Sequence, residues 1–325
     1  MSKRWLLALV AALVIYLGLG LAFGIHDLGS TLQRLPLWWW LVAPAVALLS
    51  HALLFQRWQF YLRRLGFPLA WRPSARIYAA GLALIAAPGR SGEALRGLWL
   101  QRRHGIPLQV GVGITLAERL ADLASALLVL SWGIGQRVWA AVLVGLLVLA
   151  AGGWVLTHPG VIRRLEQGLE RLPLHPRWHG LNRLLRESLL AVTNVRQLMR
   201  PRPLLVGTLL ACLCWLMEAG ALQGIYGGLG IGLTLHQTAV IRTAAALGGV
   251  LSLLPAGLGT SEATAIGLAM AYGADRSEAL AATLVLRVAT LAVPCLAGLL
   301  CLVLQPDLQR LKGHHEGIRS TQPIP

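Results

Sequence analysis

The sequence predicts an all-α polytopic membrane protein: about six full spans plus two re-entrant helical hairpins, arranged as inverted-topology repeats. Composition is the first observation behind this. Hydrophobic residues make up 56% of the 325-residue chain and charged residues 13%, about half the charged fraction of a soluble domain, and mean hydropathy is +0.64. An internal echo is the second. Arg76, Pro88-Gly89-Arg90-Ser91-Gly92-Glu93, His104-Gly105 and Glu118-Arg119 return as Arg242, Pro255-Ala256-Gly257-Leu258-Gly259-Thr260-Ser261-Glu262, Tyr272-Gly273 and Leu286-Arg287. All four landmarks keep one register of about 168 positions. The third is the placement of arginine, which carries almost all of the +16 net charge in blocks between apolar runs.

The elements follow in order. Residues 5–23 trail Ser2-Lys3-Arg4 and exceed the length of a signal-peptide core, with no small-residue cleavage site, so they read as a retained signal anchor. Further spans are expected at 37–55, 108–132, 138–156, 204–226 and 278–304, and two glycine-broken segments at 77–103 and 237–273. This gives one transmembrane domain over 1–304, with repeat 1 at 37–132 and repeat 2 at 204–304, and a polar tail at 305–325. The linker at 158–203 spaces Leu165, Leu169 and Leu172, then Leu181, Leu185, Leu189 and Val192, between arginines, the pattern of amphipathic helices on an anionic leaflet.

Basic residues set the orientation. Arg57, Arg63, Arg64, Arg72 and Arg76 follow the second span, and arginines from Arg163 to Arg202 fill the linker. The positive-inside rule places both blocks and both termini in the cytoplasm, in the inner membrane of a prokaryote. The alternation then closes only if each broken segment enters and returns on one side, the first from the cytoplasm and the second from outside.

Backbone that leaves the helix inside a membrane must line a wet cavity or be buried in protein. The breaks at Pro88-Gly89 and Pro255-Ala256-Gly257 therefore predict a cavity facing both. After each break a half-helix begins with Ser91 and Glu93, or with Thr260, Ser261 and Glu262, where hydroxyls cap amides and the positive helix end attracts anions.

These segments carry a resemblance. Pro88-Gly89-Arg90-Ser91-Gly92-Glu93-Ala94-Leu95-Arg96 followed by Glu118-Arg119-Leu120-Ala121-Asp122, and Leu254-Pro255-Ala256-Gly257-Leu258-Gly259-Thr260-Ser261-Glu262, resemble the two motifs of the flippase-like transmembrane module of the lysylphosphatidylglycerol synthases, found also as a stand-alone membrane protein. The resemblance covers about residues 5–304 and implies a lipid-translocating role. Ala256 departs from the family, which often has a second glycine there, and little consequence is expected. Nothing after Gln305 matches the soluble aminoacyl-transferase domain, so aminoacyl-lipid synthesis is not expected.

The charged residues admit two readings: a mutually paired scaffold, with Glu118 and Asp122 one helical turn apart, or a grip on an external anion. Arginine excess favours the second. The candidate substrate-binding set is Arg76, Arg90, Ser91, Glu93, Arg96, Glu118, Arg119, Asp122, Arg242, Thr260, Ser261, Glu262 and Arg287. Arg119 and Arg287 are expected to point into the cavity, and Glu93 and Glu262 to alternate between capping a half-helix and pairing with arginine.

The expected function is translocation of an anionic phospholipid or polyprenyl-phosphate or glycolipid head group between the repeats. A lipid-modifying membrane enzyme and a small-solute transporter or channel are the alternatives. No catalytic constellation, metal site or cofactor motif is recognised: Cys212, Cys214, Cys295 and Cys301 sit in apolar runs, and the glycines from Gly227 to Gly232 lack a βαβ context. Expected partners are membrane lipids with anionic head groups, and a homo-oligomer is compatible with the sequence. Nucleic acid is excluded because the basic residues flank spans.

Overall fold

The computed structural model describes residues 25–83, 85, 91–135, 158, 160, 161, 163, 164, 167, 195–252 and 254–305. The expected anchor at 5–23, the span at 138–156, the Pro88-Gly89-Arg90 break, the tail and most of the linker lie outside them. Among the described residues every regular element is helical.

After α1 (Ile25–Arg34), the first half runs α2 (Trp39–Arg64), α3 (Trp71–Leu82), α4 (Ser91–His104) and α5 (Leu108–Ile134). The second half runs α6 (Pro201–Gly228), α7 (Leu235–Leu251), a 3₁₀ turn (Pro255–Gly257), α8 (Thr260–Ala271), α9 (Arg276–Arg287), a π-helical turn (Val288–Ala292) and α10 (Val293–Leu304). Each half is thus a long helix, two short ones separated by a break, and a long final stretch. The breaks fall inside the two expected segments.

Local chemistry sets the boundaries. Pro201 opens α6, where its missing N–H costs nothing. The Thr234 hydroxyl accepts from the Gln237 amide (3.3 Å) while the Gln237 side chain accepts from the Thr234 N–H (2.8 Å), a reciprocal cap that starts α7. Gly135 ends α5 at φ 91°. Trp39–Arg64, Pro201–Gly228 and Arg276–Leu304 are long and apolar enough to cross a membrane. The 27-residue α5 matches them in length and carries Glu118, Arg119 and Asp122 at its middle.

The two first helices pack side by side and antiparallel: Trp39 meets Gly224 and Gly228, the Cys214 thiol contacts the Ser50 carbonyl, and Tyr61 meets Gly207. A Cβ at Gly207 or Gly224 would overlap those rings, so small residues set this close approach, as they do between membrane helices. Each half's last helix then crosses over: α5 packs on α6 and α7, and α10 packs on α2 and α3. Gly298 lies against the α3 backbone at Ala79 to Ala83.

One expectation is corrected here. The apolar run predicts a second span ending at residue 55, with Arg57 in the cytoplasmic flank. Helix α2 runs nine residues further and buries Arg57, Trp58, Tyr61 and Leu62, because Trp58 and Tyr61 continue the core-facing stripe beyond residue 55.

Candidate functional site

In the second half the site grows from a left-handed turn. Ala256 (φ 53°), Gly257 (φ 65°) and Gly259 (φ 85°) reverse the chain between α7 and α8. Gly257 must be glycine for a second reason, since a Cβ there would come within 2.5 Å of the Gly249 Cα on α7. Ala256 bears the left-handed conformation with a side chain, at about 1 kcal/mol, a cost larger than the little consequence expected of alanine here. Fully buried Glu262 closes the turn. One carboxylate oxygen accepts from the Gly259 N–H at 2.8 Å, and the other accepts from Arg287 Nε at 2.6 Å. Arg287 Nη2 also donates to the Ala256 carbonyl at 3.0 Å. Capping and pairing, expected to alternate, are thus made together. Ser261 donates to the Ala245 carbonyl (2.8 Å) and Thr260 to the Gly257 carbonyl (3.2 Å).

Leu222, Ile241, Arg242, Ala245, Ser261, Ala265, Thr283, Leu286, Arg287 and Thr290 line a cavity beside this turn. Arg242 Nε donates to Glu218 at 2.7 Å, and its guanidinium sits 4.8 Å from the Trp215 ring. Both arginines of this cavity therefore have their own glutamate.

The first half builds a different cavity, lined by His51, Leu54, Arg57, Tyr78, Gly81, Leu82, Ile85, Arg96, Glu118, Arg119 and Asp122. Arg96 donates to Glu118 at 2.8 Å, with side chains only 4% and 3% exposed. Its guanidinium lies over Trp58 at 4.7 Å and Tyr78 at 5.2 Å. Gly81 makes the space, since a Cβ there would stand 2.8 Å from the Arg96 Cγ. Asp122 is shared: Arg57 reaches one oxygen at 2.7 Å and Arg119 the other at 3.3 Å. Arg57 is sealed at 2% side-chain exposure, whereas Arg119 is 36% exposed.

Among the described residues these two cavities share no lining residue and hold about 30 Å³ of space each, while the Pro88-Gly89-Arg90 break, expected to face a common cavity, lies outside the described residues. That volume holds water and is far short of a ligand pocket. Each pair made by a lining arginine stays within its own half: Arg57 of α2 and Arg96 of α4 meet α5, Arg242 of α7 meets α6, and Arg287 of α9 meets α8. Arg96, Glu118, Arg119 and Asp122 come together in the first cavity, and Arg242, Ser261 and Arg287 in the second. Glu262 and Thr260 hold the adjoining turn. Arg76 lines neither cavity: it is exposed on α3, and its carbonyl accepts from the Cys301 thiol. Arg90 and the side chains of Ser91 and Glu93 lie outside what is described. Sequence reading missed His51, Arg57 and Tyr78. A signal for Arg57 was present in its aromatic neighbours Phe55, Trp58, Phe60 and Tyr61, which extend the buried helix past the apolar run.

A family profile described as the lysylphosphatidylglycerol synthase TM region matches residues 5–298. Two curated relatives, both named UPF0104 membrane protein and both from Methanothermobacter thermautotrophicus, are similar along most of their length. One is 28% identical over 261 residues, 72% of this chain and 74% of the relative. The other is 23% identical over 243 residues, 66% of this chain and 68% of the relative.

Proposed function

The chain belongs to the lysylphosphatidylglycerol synthase transmembrane-region family, and on that premise we propose that this membrane protein is a lipid translocase that carries an anionic head group while the acyl chains stay in the bilayer. The observation that carries this reading is the first-half cavity, where Arg57, Arg96 and Arg119 converge with Glu118 and Asp122 in an apolar helical body. Intramembrane charges in such numbers mark substrate paths, and arginine holds phosphate bidentately. Opposed carboxylates keep the grip reversible, because a phosphate and Asp122 compete for the same guanidinium groups. At about 30 Å³ the cavity takes a head group only in an opened form.

The proposed architecture is one transmembrane domain with inverted repeats. Supporting it, the equivalent helices α2 and α6 lie antiparallel, and α3–α4 and α7–α8 are broken pairs short enough to enter and return on one side. The proposed setting is a prokaryotic inner membrane with both termini in the cytoplasm, following the arginine blocks. Translocation on this reading involves no covalent chemistry and no cofactor.

The test is proteoliposome translocation of head-group-labelled phosphatidylglycerol against labelled phosphatidylcholine, whose net charge is zero. Selective translocation of the anionic lipid is expected. Equal rates for both, or rates no faster than protein-free liposomes, would reject the reading.

A further inference from the structure

The two cavities are built on corresponding positions. Leu54 and Leu222, Tyr78 and Ala245, Arg96 and Ala265, Glu118 and Leu286, Arg119 and Arg287, and Asp122 and Thr290 line the first and second respectively, each pair about 168 positions apart. By the same register Arg57 corresponds to Ile225, which is fully buried. The fold therefore accepts isoleucine, alanine, leucine and threonine where the first half has placed Arg57, Arg96, Glu118 and Asp122. Buried ionic networks are rarely kept for stability, since apolar replacements of similar volume are often neutral or stabilising.

Arg57 is the most deeply buried arginine of that network. It is 98% buried at its side chain and lines the cavity, and Nη1 meets Asp122. Its Nε has no hydrogen-bond partner among the described residues, and a buried guanidinium donor in that state calls for an acceptor. Three arginines and two acids are among the described lining residues. In the second half each lining arginine has a carboxylate of its own.

Resting on the translocase reading, we propose that Arg57 is the innermost head-group-binding residue, and that the first cavity rather than the second receives the lipid phosphate. The phosphate accepts from Arg57 Nε and from the half-exposed Arg119, taking over part of the role of Asp122.

The test is phosphatidylglycerol binding to the detergent-solubilised full chain, followed by native mass spectrometry, with inorganic phosphate as competitor. Arg57→Ile installs the second half's residue, and Arg57→Ile with Asp122→Thr copies its pair, so that a folded variant is available if the single change leaves Asp122 poorly matched. Arg57→Lys retains the charge and removes the Nε fork. Folded isoleucine variants are expected to bind phosphatidylglycerol at least tenfold more weakly and Arg57→Lys to fall between, while millimolar phosphate displaces little of the lipid from the wild type. Wild-type affinity in the folded double variant would overturn the assignment of Arg57, and displacement by phosphate at equal affinity would overturn its assignment to a lipid. A wild type that binds no anionic lipid would instead count against the translocase reading itself.

Discussion

Corresponding positions make a charged network in the first half and a mostly apolar, charge-balanced pocket in the second. Glu118, Arg96 and Asp122 stand where the second half has Leu286, Ala265 and Thr290, and among these charged lining residues Arg119 alone keeps its charge, as Arg287. The shared arginine also does different things. Arg287 is 19% exposed, clamps fully buried Glu262 and holds the Ala256 carbonyl, fastening the turn between two half-helices. Arg119 is 36% exposed and shares Asp122 with Arg57 through a longer contact. Among the described contacts, Arg287 thus fastens a turn within its own half, whereas Arg119 shares a carboxylate with a second arginine on the cavity wall.

The largest expected effect comes from opening the deepest pair of the first half. Arg96→Leu leaves Glu118 buried without its guanidinium and should cost about 3–5 kcal/mol, read as a lowered thermal midpoint in detergent. Arg96→Ala with Glu118→Leu, which reproduces Ala265 and Leu286, should recover most of that loss. A double variant as unstable as the single one would mean that the halves do not correspond at this site.

Next in size is the contrast between the shared arginines. Arg287→Gln removes charge-assisted bonds to Glu262 and to the Ala256 carbonyl, for about 2–4 kcal/mol. Arg119→Gln, on a half-exposed side chain, should cost under about 1 kcal/mol. Equal losses in paired unfolding experiments would dissolve the distinction drawn between clamp and grip.

Much of this was legible in the sequence for a definite reason. Glycine and proline interrupt apolar runs where backbone must turn, so the break at Pro255 to Gly259 could be read from spacing. Glu262 three residues after Gly259 announced a helix start, and the capping bond is there. Pair choice was not legible. Glu118 and Asp122 share a helix face, yet one goes to Arg96 on α4 and the other to Arg57 on α2 and Arg119 on its own helix, because partners are chosen by helix crossings that local spacing does not encode. The aromatic bed of Arg96 depends likewise on Trp58 from α2, Tyr78 from α3 and the notch at Gly81.

The smallest effect concerns the left-handed turn. Ala256→Gly relieves a positive φ and should raise stability by about 0.5–1 kcal/mol. Gly257→Ala, meeting both the same φ restriction and the Gly249 backbone, should lower it by about 1–3 kcal/mol. A destabilised Ala256→Gly would show that the Ala256 methyl supplies packing that outweighs its backbone strain.

The most direct measurement of the central claim is head-group-labelled phosphatidylglycerol translocation per folded molecule, compared for Arg119→Gln and Arg287→Gln in the same liposomes. The account predicts a fall of at least tenfold for Arg119→Gln with an unchanged thermal midpoint, about 1.4 kcal/mol in the barrier. Arg287→Gln should show a lowered midpoint and the smaller loss of rate. Wild-type translocation by a folded Arg119→Gln protein, or the larger loss falling on Arg287→Gln, would contradict it.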